Sequence, residues 1–312
     1  MSKRATREAF GATLVELAAE GIDVVAVEAD LSKSTTTATF ADAYPERFFN
    51  AGIAEQNMLG VAAGLAVSGK VAFTGSFAVF ATGRAYDQVR NTVCYSELNV
   101  KLAPTHSGIT VGPDGGSHQM LEDIALMRVL PGMRVLVPAD YYAACEALRV
   151  AAATPGPFYI RLGRAAVPFV HDESFRFELG KAYIVREGSD VTLTACGVMV
   201  ERAMAAADLL ADDGISAEVI DVATVKPIDE ATIASSAAKT GAVVACEEHS
   251  IIGGLGSAVA EVLGENQPVP LARVGVRDVF GTSGDPEELM AHFGLTAHHV
   301  AEAAREVLRR RS

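Results

Sequence analysis

Hydrophobic positions along the chain alternate between two periods. Over residues 6–20 apolar side chains recur every three or four positions, as in an amphipathic helix, and Gly21 ends the pattern. Residues 22–27 are mostly β-branched and apolar, which is typical of a strand. The alternation continues with predicted strands at 70–73, 99–103, 134–137 and 157–161 and helices at 55–67, 85–95, 121–130 and 141–153. It predicts a mainly parallel sheet with helices on both faces.

The alternation stops at residues 165–188, where proline, phenylalanine and charged residues follow no period. It then resumes, with predicted strands at 191–196, 216–221, 242–246 and 271–276 and helices at 200–211, 230–239, 256–263 and 299–310. The sequence therefore predicts an α/β protein of two successive three-layer α/β/α domains. Their expected limits are residues 1–168, a linker at 169–186, and residues 187–312.

The charge balance excludes some partners. The chain has 39 acidic and 26 basic residues, a net charge of −13, and no basic cluster, so we expect no nucleic-acid binding. The first residues are charged where a signal peptide is apolar, and no apolar run approaches the ~18 residues of a membrane span. We expect a cytoplasmic protein. Its four separated cysteines are predicted to be reduced core thiols.

Ligands of parallel sheets bind at the carboxyl ends of strands, and four loops in these positions are rich in functional groups. They are residues 28–34, 50–57, 74–80 and 105–118. In the second loop, Glu55, Gln56 and Asn57 open a helix whose following residues are nearly all small or apolar. Burial of such a carboxyl group raises its pKa and suits it to exchanging a proton with a ring nitrogen. The alternative is an acid favoured simply by the helix dipole.

The fourth loop carries two histidines, His106 and His118, on either side of a glycine-rich stretch with Asp114. Two imidazoles and a carboxylate can bind a metal ion, although their spacing is weak support for a metal site. Hydrogen bonding to a polyol or a phosphate fits these residues equally well. A solvated loop without a ligand is the third interpretation.

Taken together, these stretches resemble the transketolase family of thiamine diphosphate enzymes. Residues 47–58 (RFFNAGIAEQNM) are similar to the pyrimidine-binding signature of that family, and residues 75–80, 84–90 and 112–119 follow in the family's order. The resemblance covers essentially the whole chain. The sequence departs from the family pattern at Pro113 and at Gly83, an extra residue between Phe80 and Arg84.

One half of the family pattern is absent from this sequence. Single-chain members have an N-terminal domain whose Gly-Asp-Gly motif, followed by an Asn, binds Mg2+ and the cofactor diphosphate. The resemblance therefore implies the smaller, C-terminal subunit of a split transketolase. It also implies an N-terminal partner subunit that binds Mg2+, thiamine diphosphate shared between the two subunits, and an α2β2 heterotetramer. No metal ligand is expected in this chain, which alone should be inactive.

The resemblance also implies roles for individual residues near the cofactor. Glu55 matches the catalytic glutamate that hydrogen-bonds the ring nitrogen of the aminopyrimidine. Phe77 matches the aromatic residue that stacks on this ring, and Phe80 the apolar wall beside it. Asp30 matches an acidic residue near the cofactor.

On the substrate side, His118 and Asp114 match groups that hydrogen-bond the hydroxyls of the donor sugar, with His118 also expected to take part in catalysis. The predicted phosphate-binding cluster is Arg7, Ser34, His106 and Arg164, with Arg161 as a nearby alternative to Arg164. Guanidinium groups suit a phosphate because charge-assisted, two-pronged hydrogen bonds are strong.

The resemblance implies transfer of a two-carbon ketol unit from a ketose phosphate to an aldose phosphate. Two other enzymes share the scaffold: half of a deoxyxylulose-phosphate synthase, and the β subunit of a 2-oxo acid dehydrogenase. The predicted phosphate cluster favours sugar phosphates over 2-oxo acids. A non-catalytic binding subunit is the alternative from another class, and the presence of Glu55, Asp114 and His118 together argues against it.

Overall fold

The computed structural model describes residues 3–311; Met1, Ser2 and Ser312, which the predicted domain limits include, lie outside the described residues. The strands are β1 (Lys3–Ala5), β2 (Val24–Glu28), β3 (Phe48–Asn50), β4 (Val71–Gly75), β5 (Val100–Leu102), β6 (Arg134–Leu136), β7 (Phe158–Ile160), β8 (Ala166–Pro168), β9 (Tyr183–Arg186), β10 (Val191–Ala195), β11 (Ala217–Asp221), β12 (Thr224–Lys226), β13 (Val243–Ser250) and β14 (Leu271–Val276).

The helices are α1 (Glu8–Ala19), α2 (Ser32–Thr35), α3 (Ala38–Ala43), α4 (Glu55–Val67), α5 (Asp123–Arg128), α6 (Tyr141–Ala153), α7 (Met199–Asp212), α8 (Glu230–Thr240), α9 (Leu255–Asn266), α10 (Pro286–His292) and α11 (Ala297–Arg309). Several start where the sequence supplies a capping side chain. Asp140 accepts a hydrogen bond from the Ala143 amide at the start of α6, and Asp229 accepts one from the Thr232 amide at the start of α8. Gly241, at a φ of +70°, ends α8.

The first sheet has seven strands, in the order β12-β6-β7-β5-β4-β2-β3. Its neighbouring strands are parallel except for β12, which runs antiparallel to β6. Phe10 of α1 and Leu148 of α6 belong to one buried cluster, whereas Met58 of α4 belongs to another. Every residue of β2 is buried, as expected for a central parallel strand.

A second, five-stranded sheet has the order β14-β13-β10-β11-β9, with β9 antiparallel to β11 and the other pairs parallel. Helices α7 and α11 pack with this sheet in one apolar cluster, and α8 and α9 contribute to another. The prediction of an α/β fold with two mainly parallel sheets is therefore confirmed. All four cysteines are free, and burial raises the pKa of the Cys94 thiol to about 11.

The boundary between the two sheets differs from the predicted one. Strand β12 follows β11 in the chain but joins the first sheet, beside β6. Strand β9, within the predicted linker, is instead the edge of the second sheet. Strands β1 and β8 also form a small antiparallel ribbon that the sequence pattern did not predict. Strands of three or four residues contain too few positions to show a period.

The prediction of an α-helix at 85–95 is wrong, because this stretch is largely π-helical. Residues Val79–Arg84 and Gln88–Cys94 form two turns of π-helix, in which the amides of Ala85 and Tyr95 donate to carbonyls five residues earlier. A π turn accommodates one more residue per turn than an α turn, and such turns are frequent at functional sites. The extra residue Gly83 lies inside the first of them.

Candidate functional site

The candidate site lies at the carboxyl edge of the first sheet. Strand pairing aligns Glu28 at the end of β2 with Asn50 of β3 and Gly75 of β4, and Thr74 with Leu102 of β5. The loops after these strand ends carry Asp30, Glu55, Phe77 and His106. Because parallel strands end at the same edge, these loops lie side by side, as the sequence predicts.

Glu55 is the first residue of α4 and is only 2% exposed, so its predicted burial is confirmed. Its Oε1 accepts a 2.8 Å hydrogen bond from Nη1 of Arg84, whose side chain is 51% exposed. The sequence pattern did not indicate Arg84 as a site residue. Its guanidinium reaches Glu55 from the end of the π turn that holds the extra residue.

Four aromatic rings pack together beside this ion pair. Phe77 and Phe80 are stacked with ring centroids 6.0 Å apart, and the His106 ring lies parallel to Phe77 at 3.8 Å. The ring of His118 meets Phe80 edge-on at 5.5 Å. The guanidinium carbon of Arg84 lies 4.6 Å from the centre of the Phe80 ring. Phe77, Phe80, His106 and His118 therefore form one cluster that contacts Glu55 through Arg84.

His106 is buried, and its Nδ1 lies 2.7 Å from the hydroxyl of Thr105. Burial, reinforced by the nearby charges of Arg7 and Arg164, lowers its pKa from 6.5 to about 3. The imidazole is therefore neutral at pH 7, and it can meet a phosphate as a hydrogen-bonding group but not as a cation.

The predicted phosphate cluster contains two arginines that are near one another. Nη1 of Arg7 donates to the carbonyl of Ser34 at 2.8 Å, so the structure brings these two residues together through the backbone. The pKa of Arg7 is lowered by burial and by the charge of Arg164. Arg164 in turn donates to Val111 O at 2.7 Å and to Oδ1 of Asp114 at 3.1 Å.

Arg161, the alternative to Arg164, occupies a different environment. Its side chain is 6% exposed, and its Nε donates to Asp123 at 2.7 Å. Arg164 is 35% exposed and lies beside Asp114. The partly exposed Arg164 is therefore the residue of this pair that can meet a ligand.

Asp114 and His118 belong to the glycine loop, which we define as residues 108–120. Ile109, Thr110 and Val111 are buried, so the loop is not a fully solvated segment. Asp114 and His118 are at its exposed side, with Ser117 Oγ 3.0 Å from His118 Nδ1. Within residues 3–311, no cluster of three or more His, Cys, Asp or Glu side chains is arranged to hold a metal ion.

Asp30 lies at the edge of the site. Its backbone is left-handed, with a φ of +63°, and its amide and carboxylate are both hydrogen-bonded to the Asn50 side chain at 3.1 and 3.2 Å. The same amide oxygen of Asn50 accepts from the Gly52 amide at 2.9 Å. Asp30 therefore anchors the start of the loop that leads to Glu55.

Glu28 is a second residue whose part in the site the sequence did not reveal. Its Oε1 accepts hydrogen bonds from the hydroxyls of Thr35 at 2.5 Å and Thr37 at 2.7 Å, and burial raises the pKa of the carboxyl group. A Cβ at position 75 would lie 2.1 Å from that oxygen, which explains Gly75. Glu28 thereby fixes the segment that carries Ser34. In the sequence, an acidic residue at the end of an otherwise apolar strand could have pointed to this role.

Fold and site together define a two-domain α/β protein whose polar and aromatic residues converge at one sheet edge. A model of the transketolase pyrimidine-binding domain matches residues 2–170, and one of the transketolase C-terminal domain matches residues 180–300. No helix within residues 3–311 has both the length and the apolar character to cross a membrane.

Individual proteins agree with these matches. A putative transketolase C-terminal section of Methanocaldococcus jannaschii is 48% identical, over 97% of this chain and 96% of the relative. The 6-deoxy-6-sulfo-D-fructose transketolase subunit SqwH of a Clostridium species is also 48% identical, over 98% and 95%. A solved split gene transketolase, described as an inactive β4 tetramer, superimposes with a TM-score of 0.92 at 52% identity, with full coverage of both chains. The chain belongs to the transketolase family and corresponds to the C-terminal section of a split transketolase.

Proposed function

We propose that this chain is the subunit of a thiamine diphosphate-dependent transketolase that binds the aminopyrimidine ring of the cofactor and the sugar substrates. The enzyme transfers a two-carbon ketol unit from a ketose phosphate to an aldose phosphate. The observation that carries the proposal is the convergence of a buried carboxylate, two stacked phenyl rings and two imidazoles beside Arg7 and Arg164.

The donor set fits the pyrimidine half of the cofactor. The faces of Phe77 and Phe80 suit a flat aromatic ring, with offset stacking contributing about 0.5–1.5 kcal/mol beyond burial. The carboxyl group of Glu55 provides the hydrogen bond that a ring nitrogen requires. Arg84 now contacts both Glu55 and Phe80, so its guanidinium has to turn aside or share the carboxylate when the ring binds.

When bound, thiamine diphosphate supplies the carbon nucleophile and the electron sink of the reaction. The side chains of this chain orient the reactants and handle protons. Glu55 holds a proton at the ring nitrogen, and the phenyl rings exclude water from the face of the ring. His118 and Asp114 hydrogen-bond the hydroxyls of the donor, and His118 moves protons at those oxygens.

The anionic end of the sugar binds where Arg7, Arg164, His106 and the Ser34 segment meet. Two guanidinium groups favour a dianionic phosphate, and the neutral His106 adds a hydrogen bond without charge. The SqwH relative is named for a sulfonated sugar, which ends in a monoanion of similar shape. We propose the phosphate, and a parallel assay with 6-deoxy-6-sulfofructose distinguishes the two substrates.

The partner is an N-terminal transketolase subunit that binds the diphosphate and Mg2+. Two relatives of nearly the same length are named as a transketolase C-terminal section and as a transketolase subunit, which supports a separate partner. A solved split gene transketolase that superimposes over the whole chain is described as an inactive β4 tetramer, which agrees with a C-terminal section that requires a partner. We propose an α2β2 assembly in the cytoplasm.

Co-expression with the neighbouring reading frame, followed by a ketol-transfer assay with fructose 6-phosphate, tests the function directly. Activity should require both subunits, thiamine diphosphate and Mg2+. Glu55→Ala should abolish turnover while size-exclusion chromatography still shows the assembled complex. Glu46→Ala, a control that removes an exposed carboxylate, should leave turnover unchanged. Near-normal turnover of Glu55→Ala would refute the assigned role.

A further inference from the structure

We infer that Glu248, a side chain of the second domain, positions the glycine loop so that Asp114 and His118 can bind the donor sugar. The inference rests on the proposed function, because it assigns a substrate role to those two residues. It extends that function by giving the second domain a part in substrate binding without any contact to substrate.

The carboxylate of Glu248 fits closely against the start of the glycine loop. Its Oε1 accepts a 2.6 Å hydrogen bond from the backbone amide of Thr110, and the residue is 4% exposed. A Cβ at position 108 would lie 2.3 Å from the carboxyl carbon, and Gly108 has a φ of +78°. Only glycine leaves room for the carboxylate in this conformation. The loop backbone and the Glu248 side chain are therefore fitted to one another.

Arg161 connects this carboxylate to the end of the loop. Its Nη1 lies 3.9 Å from Oε2 of Glu248, and its Nη2 donates to the carbonyls of Glu248 at 3.0 Å and Met120 at 3.2 Å. The Met120 carbonyl also accepts from the amide of Gly108 at 2.9 Å, which closes the loop. Glu248 and Arg161 thus hold the two ends of the loop together.

A second set of contacts joins the far part of the loop to the second domain. Nε2 of Gln119 donates to the carbonyl of Thr282 at 2.9 Å and to that of Ile109 at 3.2 Å. A Cβ at position 116 would lie 2.4 Å from the carbonyl oxygen of Gly281. The loop therefore lies directly on the second domain over much of its length.

Asp114 and His118 lie between these anchored points. Both are on the exposed side, where Asp114 pairs with Arg164 and His118 meets the edge of Phe80. Their distance from the aromatic cluster depends on the path of the loop backbone. Because a displacement of about 1 Å can cost a large factor in rate, loosening the loop should weaken substrate binding. Glu248 is in this sense a positioning residue.

The test compares Glu248→Ala and Glu248→Gln in the full chain assembled with its diphosphate-binding partner. For Glu248→Ala we expect about tenfold faster hydrogen exchange at residues 108–120 and a KM for fructose 6-phosphate raised about tenfold, with kcat changed much less. Glu248→Gln keeps an acceptor for the Thr110 amide and should recover most of both effects. Glu218→Gln is the matched control, since Glu218 is another buried acid of the second domain and pairs with Lys239.

Hydrogen exchange tests whether Glu248 holds the loop, and KM tests whether the position of the loop affects substrate binding. Unchanged exchange and unchanged KM in folded Glu248→Ala overturn the inference. Faster exchange with an unchanged KM overturns the claim that the loop position affects substrate binding. An inactive wild-type complex refutes the proposed function, and hydrogen exchange then still decides whether Glu248 holds the loop. If Glu248→Ala does not fold, Glu248→Asp shortens the side chain by one methylene and draws the carboxylate away from the Thr110 amide. It should produce the same pair of changes, and a wild-type result overturns the inference.

Discussion

Arg84 donates a 2.8 Å hydrogen bond to the buried carboxylate of Glu55. Half of the arginine side chain is exposed, whereas Glu55 is 2% exposed. A buried carboxylate that loses its charged partner retains its desolvation cost without compensation. The stability of the first domain should therefore depend on Arg84 through Glu55.

Arg84→Met is expected to lower the free energy of unfolding by about 1–2 kcal/mol, a figure kept small because the guanidinium is half in water. Urea unfolding followed by circular dichroism measures it. Adding Glu55→Gln should recover most of the loss, since the neutral amide needs no cation. Arg90→Met, which removes an exposed arginine hydrogen-bonded to its neighbour Asn91, should change stability by less than about 0.5 kcal/mol. Equal losses for the two arginines would contradict the prediction.

Arg164→Ala should raise KM for sugar phosphates selectively. Its Nη1 lies at the site beside Asp114, where it can form charge-assisted hydrogen bonds to a phosphate. Loss of such bonds is expected to raise KM for fructose 6-phosphate by about 10- to 100-fold. KM for hydroxypyruvate, a donor without phosphate, should change less than about twofold. Steady-state assays of the assembled complex provide both values.

The control for Arg164 is Arg176→Ala, which removes an exposed arginine hydrogen-bonded to neighbouring carbonyls. It should leave both donors unaffected. An equal loss on phosphorylated and unphosphorylated donors after Arg164→Ala would show that Arg164 holds Asp114 in place and does not contact phosphate.

Much of the site was predictable because its residues follow strand ends in order. Burial of Glu55 agrees with the small and apolar residues from Met58 onward, because Met58, Leu59 and Ala62 share its buried face of α4. Arg84 was not predictable, since its position depends on a π turn. An extra residue in a helical stretch rotates the side chains that follow it, and the sequence pattern does not show in which direction they then point.

Contacts between the domains were likewise beyond the sequence pattern. The Thr110 amide and the Glu248 carboxylate are 138 residues apart in the chain. Their contact depends on how the two sheets are arranged, and on a three-residue strand, β12, that crosses to the first sheet. Local periodicity describes single elements and contains no information about such long-range pairing.

The isolated chain should bind thiamine diphosphate negligibly. In the proposed division, this chain holds the aminopyrimidine ring, whereas the partner subunit binds Mg2+ and the diphosphate, which carries most of the charge of the cofactor. Calorimetry of the chain alone with thiamine diphosphate and Mg2+ should show no measurable heat of binding, and the same titration of the two-subunit complex should show saturation. Tight, Mg2+-dependent binding to this chain alone would refute the division of the cofactor between subunits.

His106 should make the protein less stable in mild acid. Its pKa is about 3 in the folded chain, against 6.5 ordinarily, because the ring is buried and faces Arg7 and Arg164. Between these two values the unfolded chain binds a proton that the folded chain does not, so stability falls as the pH is lowered through this window. The contribution of one such group approaches about 1.4 kcal/mol per pH unit.

His106→Asn removes this proton uptake and keeps a planar group against Phe77, so its unfolding free energy should decline less steeply between pH 6 and pH 4. The wild-type slope contains contributions from many carboxylates, but these cancel in the difference between the two proteins. Urea unfolding at several pH values gives both slopes. His298→Asn, a control at an exposed histidine, should reproduce the wild-type slope. Parallel curves for wild type and His106→Asn would mean that His106 accepts a proton in the folded protein, and the phosphate cluster would then contain a third cation.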